Sequence, residues 1–368
     1  MKTKLLSILL LAAMVVSVQA DQTWTKSGTK YLGADGAWTV LKGKQNAIKF
    51  NAPDDTKAAA AGWVIDMAPL GELYSETWFS QFQPNADWPT TARQNLKKVV
   101  FPKQCTTLLS SAFGSSAKGA FLGLNEVVGT GVTSVATLAF QACSNLVSVV
   151  LSPDLAALNV GNTGNAYWGT FTGCVSLENF QPSTFSSAFT SFGIGCFRGC
   201  ALTNFFDLSA TSIATIPAMC FYGNPVAGIT LPATLTTIEE RAFAEIPTGT
   251  TFRFLGDVPA FNGTGYQKPF YLSNHSNQPG YRHTFIVDAK TYPAWTTNAD
   301  PSDPTFVAVA DLQTCGSGNV RNNFHTTDAD FPGKHTLGVT RLGGNQGWSW
   351  LVQYAEEEPT ETIYMMFE

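Results

Sequence analysis

The sequence predicts a solenoid in which short strand-and-turn coils stack around one elongated core. Three observations predict it. A pattern ending in Ala-Phe or Cys-Phe recurs along the middle of the chain, a strand template follows the copies, and the composition combines 13% charged residues with 32 Gly. Units of this size are too short to bury their own apolar face, so they must stack on one another to form a core.

The recurring pattern is anchored on phenylalanine. TLTTIEERAF at 234–243 has Ala one position, Ile five positions and Leu eight positions before its final Phe. The same offsets hold small or apolar residues or Cys in CTTLLSSAF, VTSVATLAF, FTSFGIGCF and IATIPAMCF. A sixth anchor has these offsets broken by an insertion. The anchors are Phe113, Phe140, Phe171, Phe197, Phe221 and Phe243, at spacings of 27, 31, 26, 24 and 22 residues.

A second template predicts the strands. Its copies are LKKVVFP from Leu96, LVSVVLSP from Leu146, LENFQP from Leu177, LTNFFDL from Leu202 and VAGITLP from Val226. Each places an apolar residue three, and often also five, positions after the first, which indicates a short strand with one inward-facing row. One strand and one compact turn ending in an anchor make a coil, and strands of neighbouring coils should pair about 4.8 Å apart.

Three of these segments, LPATLTTIEERAF, VTSVATLAFQACSNL and CFRGCALTNF, resemble the BspA-type leucine-rich repeats of exported bacterial surface proteins. The resemblance covers roughly residues 95–260, and its motifs are specific to the fold rather than to an activity. It implies a leucine-rich-repeat solenoid with a β-strand plus a short helix or turn per coil. It also implies adhesion or protein binding, with an extracellular or surface protein such as host matrix as the partner, and it carries over no catalytic residue.

The first residues predict export. Lys2 and Lys4 precede an apolar run that begins at Leu5 and ends before the small-residue pattern closed by Ala20, which is typical of a signal peptide over residues 1–20. The run is shorter than the roughly 20 residues that span a bilayer, so we expect no membrane span after cleavage. The product should be secreted, at the cell surface or periplasmic. Losing two Lys takes the formal charge from −5 to −7, which argues against a nucleic-acid partner because such proteins carry a basic face.

The remaining chain divides around the repeats. Five of the nine Trp precede the first repeat, and the open ends of a solenoid need capping segments with their own packing. We therefore expect strands near HTLGVTRL, GWSWLVQY and ETIYMMFE in a small module at the end of the chain. The predicted divisions are an amino-terminal cap over 21–90, BspA-type repeats over 91–260, a degenerate closing repeat over 261–298 and a carboxyl-terminal β-rich module over 299–368.

The cysteines fall at repeating positions. Cys143, Cys174 and Cys200 each lie three residues after an anchor, and Asn224 takes the same position in the next coil. This pattern predicts buried side chains that hydrogen-bond to backbone groups which water cannot reach. A disulfide between Cys143 and Cys174 is the alternative, because neighbouring coils would bring their Cα atoms to about 5 Å, within disulfide range. Cys196 and Cys220 replace the Ala before an anchor, which predicts small core side chains.

Reactive groups do not converge in the sequence. Acidic residues are scattered among the repeats, and the motifs of serine hydrolases, zinc proteases and nucleotide-binding loops do not occur. His325 near Asp328 and Asp330 favours a solvated turn. The acidic segment 298–303 lacks the spacing of a calcium loop. The sequence thus predicts no catalytic residue, no cofactor and no metal site.

One insertion is a candidate ligand site. The segment before Phe171 reads ALNVGNTGNAYWGTF, and a loop added to one coil of a solenoid often projects from a binding face. Tyr167 and Trp168, beside Asn162 and Asn165, would offer an aromatic platform with amide donors for a sugar ring or an extended peptide. The alternative is that both rings fold back and cover the stretched coil, because large aromatic side chains usually bury.

These observations predict an exported, noncatalytic binding or adhesion protein that recognises protein through its repeat surface. Two alternatives remain open. One is a carbohydrate-binding protein that uses the aromatic insertion or the Trp-rich flanks to bind glycan. The other is a hydrolase or enzyme accessory with its site in a flanking domain. A deep cleft with paired carboxylates in a flank would favour the enzyme, whereas a broad, shallow solenoid face would favour binding.

Replacing Trp168 by Ala distinguishes the two roles of the insertion. If the ring packs on the coil, the substitution lowers the free energy of unfolding by roughly 3 kcal/mol, as for other large core aromatics. If the ring belongs to a ligand platform, stability stays within about 0.5 kcal/mol and binding is lost. Chemical denaturation and binding to a glycan and matrix-protein array measure the two outcomes.

Overall fold

The computed structural model describes the repeats in side-chain detail and the flanking strands as backbone. The described residues are 64–68, 90–91, 93–114, 119–158, 169–247, 250–263, 267 and 269–270, together with the backbone of 25–27, 30–32, 38–41, 46–50, 63, 81–84, 92, 159–160, 284–288, 320–325, 334–341 and 347–355.

Within the described residues the elements are mostly short strands, with a helix beside the first repeat. The first group is β1 (Thr25–Ser27), β2 (Lys30–Leu32), β3 (Trp38–Leu41), β4 (Asn46–Phe50), β5 (Trp63–Asp66), β6 (Gln81–Pro84), α1 (Thr90–Asn95), β7 (Leu96–Val100), β8 (Thr107–Leu108), β9 (Glu126–Gly129), β10 (Ser134–Ala136), β11 (Ser148–Leu151), β12 (Ala157–Val160) and β13 (Asn179–Gln181). The second group is β14 (Phe205–Asp207), β15 (Thr215–Ile216), β16 (Gly228–Leu231), β17 (Thr237–Ile238), β18 (Thr251–Phe254), β19 (Ala260–Phe261), β20 (Thr284–Asp288), β21 (Val320–His325), β22 (Lys334–Arg341) and β23 (Gly347–Ala355).

Two series of parallel strands run through the coils. The front series is formed by the strands after the anchors, β5, β7, β9, β11 and β13, and continues as β14, β16, β18 and β20. The back series is formed by β4, β6, β8, β10 and β12 and continues as β15, β17 and β19. The expected short helix or turn before each anchor is therefore only partly right, because in five of the six coils a strand of two to four residues comes first. Before Phe197 a single bridge at Ser191 takes its place.

The anchors form one stack of rings between the two series. Consecutive centroids are 5.4, 5.2, 5.3, 5.6 and 5.6 Å apart from Phe113 to Phe243, and the interplanar angles are 25° or less. Each of these six rings is at most 1% exposed. The stack continues to Phe270, at 5.4 Å from Phe243, within the segment predicted as the closing repeat. The single elongated core expected from the anchors is confirmed.

The backbone repeats with the rings. The N–H of Phe171 donates to the carbonyl of Cys196, that of Phe197 to Cys220 and that of Phe221 to Ala242, at 2.8–2.9 Å. In each case the acceptor is the residue before the next anchor. The residue that provides this carbonyl is fully buried beside the ring of the next anchor, so the position before an anchor holds a small side chain. Buried residues also occupy the positions five and eight before the five regular anchors, as predicted.

The coil between β13 and β14 interrupts both series. Its rings Phe185, Phe189 and Phe192 lie 4.6–5.6 Å from one another and add a second aromatic layer against the stack. Phe192 contacts Phe221 at 5.4 Å. Only single bridges cross this coil, one from Ala157 to Ser191 and one from Thr184 to Asp207. The anchor stack and this extra aromatic layer are thus continuous at the point where the two parallel sheets do not share a ladder.

Strands from both flanks join the same sheets. In the amino-terminal flank, β1 to β4 pair antiparallel, and β4 then pairs parallel with β6 of the back series. In the carboxyl-terminal flank, β20 pairs parallel with β23, and β21 to β23 pair antiparallel. Strands β22 and β23 lie at two of the three stretches where the sequence predicts them.

The turns after the anchors require a left-handed backbone. Two positions after an anchor, φ is positive at Ala142, Gly173, Gly199, Gly223 and Glu245, between 58° and 77°. Glycine is the residue that adopts this region without strain, and three of these five coils have it. The turn geometry therefore accounts for a glycine position that the anchor pattern alone does not explain.

Replacing Gly199 by Ala should lower the free energy of unfolding by about 1 kcal/mol, because an L side chain is disfavoured in the left-handed region. The added Cβ would have no neighbour within 4 Å, so the cost is backbone strain alone. Guanidinium unfolding followed by circular dichroism measures it. The matched change Ala142→Gly, at the equivalent position with φ 61°, should not destabilise the protein. Equal destabilisation by both substitutions would contradict this account.

Candidate functional site

The outer face of the front series is a regular surface that extends across β5, β7, β9, β11 and β13. Side chains alternate along each strand, so Val127, Val149 and Phe180 point into the core and are fully buried. Their neighbours on either side point outward and are aligned by the parallel register. Two rows of outward side chains therefore run across β5, β7, β9, β11 and β13, one on each side of the inward row.

The first row is polar across β7, β9, β11 and β13. It begins at Val64 of β5 and continues with Lys98, Glu126, Ser148 and Asn179, which are called the polar row. The Nζ of Lys98 lies 2.7 Å from Oε1 of Glu126, and these side chains are 34% and 39% exposed. The amide of Asn179 donates to the hydroxyl of Ser148 at 3.2 Å. Cross-strand pairs of this kind fix the side chains relative to one another, although an exposed ion pair adds little stability.

The second row is largely apolar. Val100, Val128 and Val150, called the valine row, lie in register and are partly exposed. Asp66 of β5 begins this row and Gln181 of β13 ends it. An apolar centre bordered by polar and charged groups is the arrangement found in protein interfaces, whose cores are depleted of charge.

A different surface lies beyond the interrupting coil. The strand template places Phe205 inward, three positions after Leu202, but the structure contradicts this: Phe205 is 48% exposed, whereas Phe206 is fully buried. The cause is one additional residue, Asn204, whose Oδ1 accepts a hydrogen bond from the N–H of Phe180 at 3.2 Å. A shift of one residue turns every side chain of a strand to the opposite face.

The ring of Phe205 lies across the neighbouring strand. A Cβ on Gly228 would be 2.7 Å from Cε2 and 2.8 Å from Cδ2 of that ring. Gly228 is therefore buried under the ring, although its position faces outward. Any larger residue at Gly228 would force the ring to move. The outer face of β14 and β16 thus carries one exposed aromatic ring that packs over Gly228.

Polar side chains border this ring. Thr251 follows Gly228 in the same row, and the adjacent row consists of Asp207, Thr230 and Arg253. Oδ1 of Asp207 accepts a hydrogen bond from the N–H of Ser209 at 2.9 Å, which orients the carboxylate. Arg253 is exposed. The ring, the carboxylate, the hydroxyl and the guanidinium therefore share one small area.

The interior cysteines have a structural role. The thiols of Cys143, Cys174 and Cys200 donate to the carbonyls of Phe113, Phe140 and Phe171 at 3.0–3.2 Å, and Asn224 donates to that of Phe197 at 2.7 Å. The residue three positions after an anchor thus satisfies the carbonyl of the preceding anchor. The prediction of buried side chains bonded to backbone is confirmed.

The disulfide alternative is wrong. All six described cysteines are free thiols, and Cys143 and Cys174 are committed to different carbonyls. Burial raises the pKa of Cys105 and of Cys143 to about 12 and that of Cys174 well above its usual range. Burial does the same to the pKa values of Cys196 and Cys220, which fill the small position before an anchor. A thiol that stays protonated is a poor nucleophile and metal ligand.

The other sequence candidates lie elsewhere. Asn162, Asn165, Tyr167 and Trp168 are outside the described residues, as are the acidic segment 298–303 and the residues at 328 and 330. Within the described part of the chain, no group of three or more His, Cys, Asp or Glu is arranged to hold a metal ion. No helix in that part has the length and apolar character needed to cross a bilayer.

Sequence reasoning did not single out the two outward rows or the Phe205 surface. Outward positions vary from coil to coil, so the repeat pattern does not mark them. One signal was present: LTNFFDL has two consecutive Phe where the other templates have one inward residue. Only one of two adjacent strand residues can face the core, so the pair itself indicates an exposed ring.

Comparison with known families identifies the repeats. The model for the BspA type leucine rich repeat region matches residues 91–166 and 166–268, with six copies. Searches of curated proteins and of solved structures gave no match.

The buried thiols should not react in the native protein. At pH 8, iodoacetamide should leave Cys143, Cys174 and Cys200 unmodified, because the reactive thiolate is suppressed by burial. Peptide mapping by mass spectrometry measures the modification, and the same peptides from protein unfolded in guanidinium are the control. Modification of any of the three at its unfolded rate would contradict the assignment.

The same shifts predict a loss of stability at high pH. A raised thiol pKa means that the unfolded state loses its protons first, so each thiol stabilises the fold fully below about pH 9 and less as pH rises toward 12. The expected slope is about 1.4 kcal/mol per pH unit and thiol. Denaturation between pH 8 and 11 tests it, with Cys143→Ala expected to show a shallower slope.

Proposed function

We propose that this chain, a BspA-type leucine-rich repeat protein through residues 91–268, is an exported, noncatalytic recognition protein. Its partner is an extracellular or cell-surface protein, which the outer face of the front series contacts. The repeat family supports a role in protein interaction. The signal-like residues 1–20 support export. Residues 21–90 and 299–368 act as end caps in this proposal, supported by the flanking strands that join the repeat sheets.

One observation carries the proposal: the valine row lies beside the polar row in a fixed register across parallel strands. Neighbouring strands are about 4.8 Å apart, so the rows present apolar and hydrogen-bonding groups at regular intervals. A protein partner would bury the valines and pair with Lys98, Glu126 and Asn179 at their border. Buried apolar anchors supply most of the binding energy in such interfaces, and the border groups supply specificity.

The rigidity of the face also favours recognition. Both rows lie on strands whose inward residues, Val127, Val149 and Phe180, are fully buried. The spacing of the rows is therefore set by the strands and not by a loop. A preorganised surface loses little conformational entropy when it binds. Among the described outward residues of β7, β9, β11 and β13 there is no convergent set of nucleophile, base and orienting group, which is the arrangement that catalysis would need.

Replacing Val128 by Glu should weaken partner binding at least tenfold, or about 1.4 kcal/mol, because the interface would have to desolvate an unpaired charge. The full mature protein is tested on an array of extracellular-matrix and bacterial surface proteins, and each hit is quantified by surface plasmon resonance. Ala214→Glu is the matched control, since Ala214 is exposed ahead of β15 on the back series. Equal loss of binding in both variants, or in neither, would refute the outer face as the recognition surface.

A further inference from the structure

We infer that Phe205, Asp207, Thr251 and Arg253, here called the Phe205 platform, form a binding site for a neutral sugar ring. The platform lies on β14, β16 and β18, on the far side of the interrupting coil from the valine row. It stands independently of the protein-recognition proposal.

The exposed ring is not needed for the core. Phe206 is fully buried in the same strand and contacts Phe197 at 6.3 Å and Phe221 at 5.7 Å. Phe205 is 48% exposed beside it. Removing its ring would therefore leave the core packing intact. Phe205 is therefore a large apolar side chain that lies at the surface.

Gly228 leaves room on β16 for the ring of Phe205. Gly228 removes the side chain that would otherwise occupy the space under Phe205, since a Cβ there would lie 2.7 Å from the ring. Cδ2 and Cε2 of the ring thus lie over the backbone of β16 at Gly228, while 48% of the side chain stays exposed. An exposed phenylalanine ring offers a flat apolar surface, which can pack against the C–H face of a pyranose.

The border supplies the hydrogen bonds that a sugar needs. The carboxylate of Asp207 accepts from hydroxyls, the guanidinium of Arg253 donates, and the hydroxyl of Thr251 does both. The bond from Ser209 holds the carboxylate in place. Ligand sites of this type combine one apolar surface with a few well-placed polar groups. The four side chains provide that combination within about two strand spacings, or roughly 10 Å.

Size and charge identify the ligand class. The apolar part is one ring, bordered on the β16 and β18 side by polar groups, which suits a single sugar residue better than the several apolar side chains of a protein interface. The border carries one carboxylate and one guanidinium, so its net charge is zero. A neutral hexose fits this balance, whereas the attraction of a sulfated or strongly acidic sugar to Arg253 would be offset by its repulsion from Asp207.

The test uses the full mature protein with maltohexaose, cellohexaose and mannohexaose as neutral probes and a heparin hexasaccharide as the charged comparison. Isothermal titration calorimetry measures the Kd. We expect at least one neutral probe to bind more tightly than the heparin fragment, with Phe205→Ala weakening it at least tenfold and Arg253→Gln weakening it about threefold or more. Val175→Ala, which shortens another exposed apolar side chain (61% exposed), should leave the Kd within twofold.

Two outcomes would overturn the site. One is the absence of binding to every neutral probe. The other is neutral-sugar binding that Phe205→Ala does not weaken while circular dichroism shows an intact fold. The protein-recognition proposal is tested separately, because Val128→Glu should leave sugar binding unchanged and Phe205→Ala should leave binding to array proteins unchanged. Loss of protein binding in Phe205→Ala without any sugar binding would assign the ring to a protein contact and refute the inference.

Discussion

The stack of buried phenylalanines sets the geometry on which the other features depend. Its rings are 5.2–5.6 Å apart, close to the spacing of about 4.8 Å between paired strands. Ring packing and backbone pairing therefore impose the same repeat on each coil. The coils differ between 22 and 31 residues in length, but the spacing of the rings stays between 5.2 and 5.6 Å.

The interior polar groups follow from the same constraint. The carbonyls of four anchors, Phe113, Phe140, Phe171 and Phe197, accept one backbone N–H and a second hydrogen bond from a buried side chain of the next coil. The side-chain donors are the thiols of Cys143, Cys174 and Cys200 and the amide of Asn224. Their equivalence explains why cysteines accumulate in the repeats without forming disulfides. Their high pKa values are a consequence of burial in this position, and they do not indicate a reactive site.

The core sets the register of the residues on the outer face, but it does not set their residue types. Because the inward residues are held in register, the outward residues form straight rows. One extra residue, Asn204, breaks this relation in a single coil, and its amide oxygen compensates by accepting the N–H of Phe180. The result is an exposed ring beside the interruption between two sheets. The valine row and the Phe205 platform thus lie on opposite sides of that interruption. The first presents aliphatic side chains and the second presents an aromatic ring.

The sequence by itself determined the anchors, the buried positions five and eight residues before them, and the slots of the cysteines, because each buried position imposes the same size and polarity in every coil. Only the tertiary structure decided the second strand series, the continuation of the stack to Phe270 and the outward turn of Phe205. Those features depend on hydrogen bonds between residues in different coils, such as Asn204 with Phe180 and Phe243 with Pro269. Outward positions are free to vary, so no repeat in the sequence marks which of them form a surface.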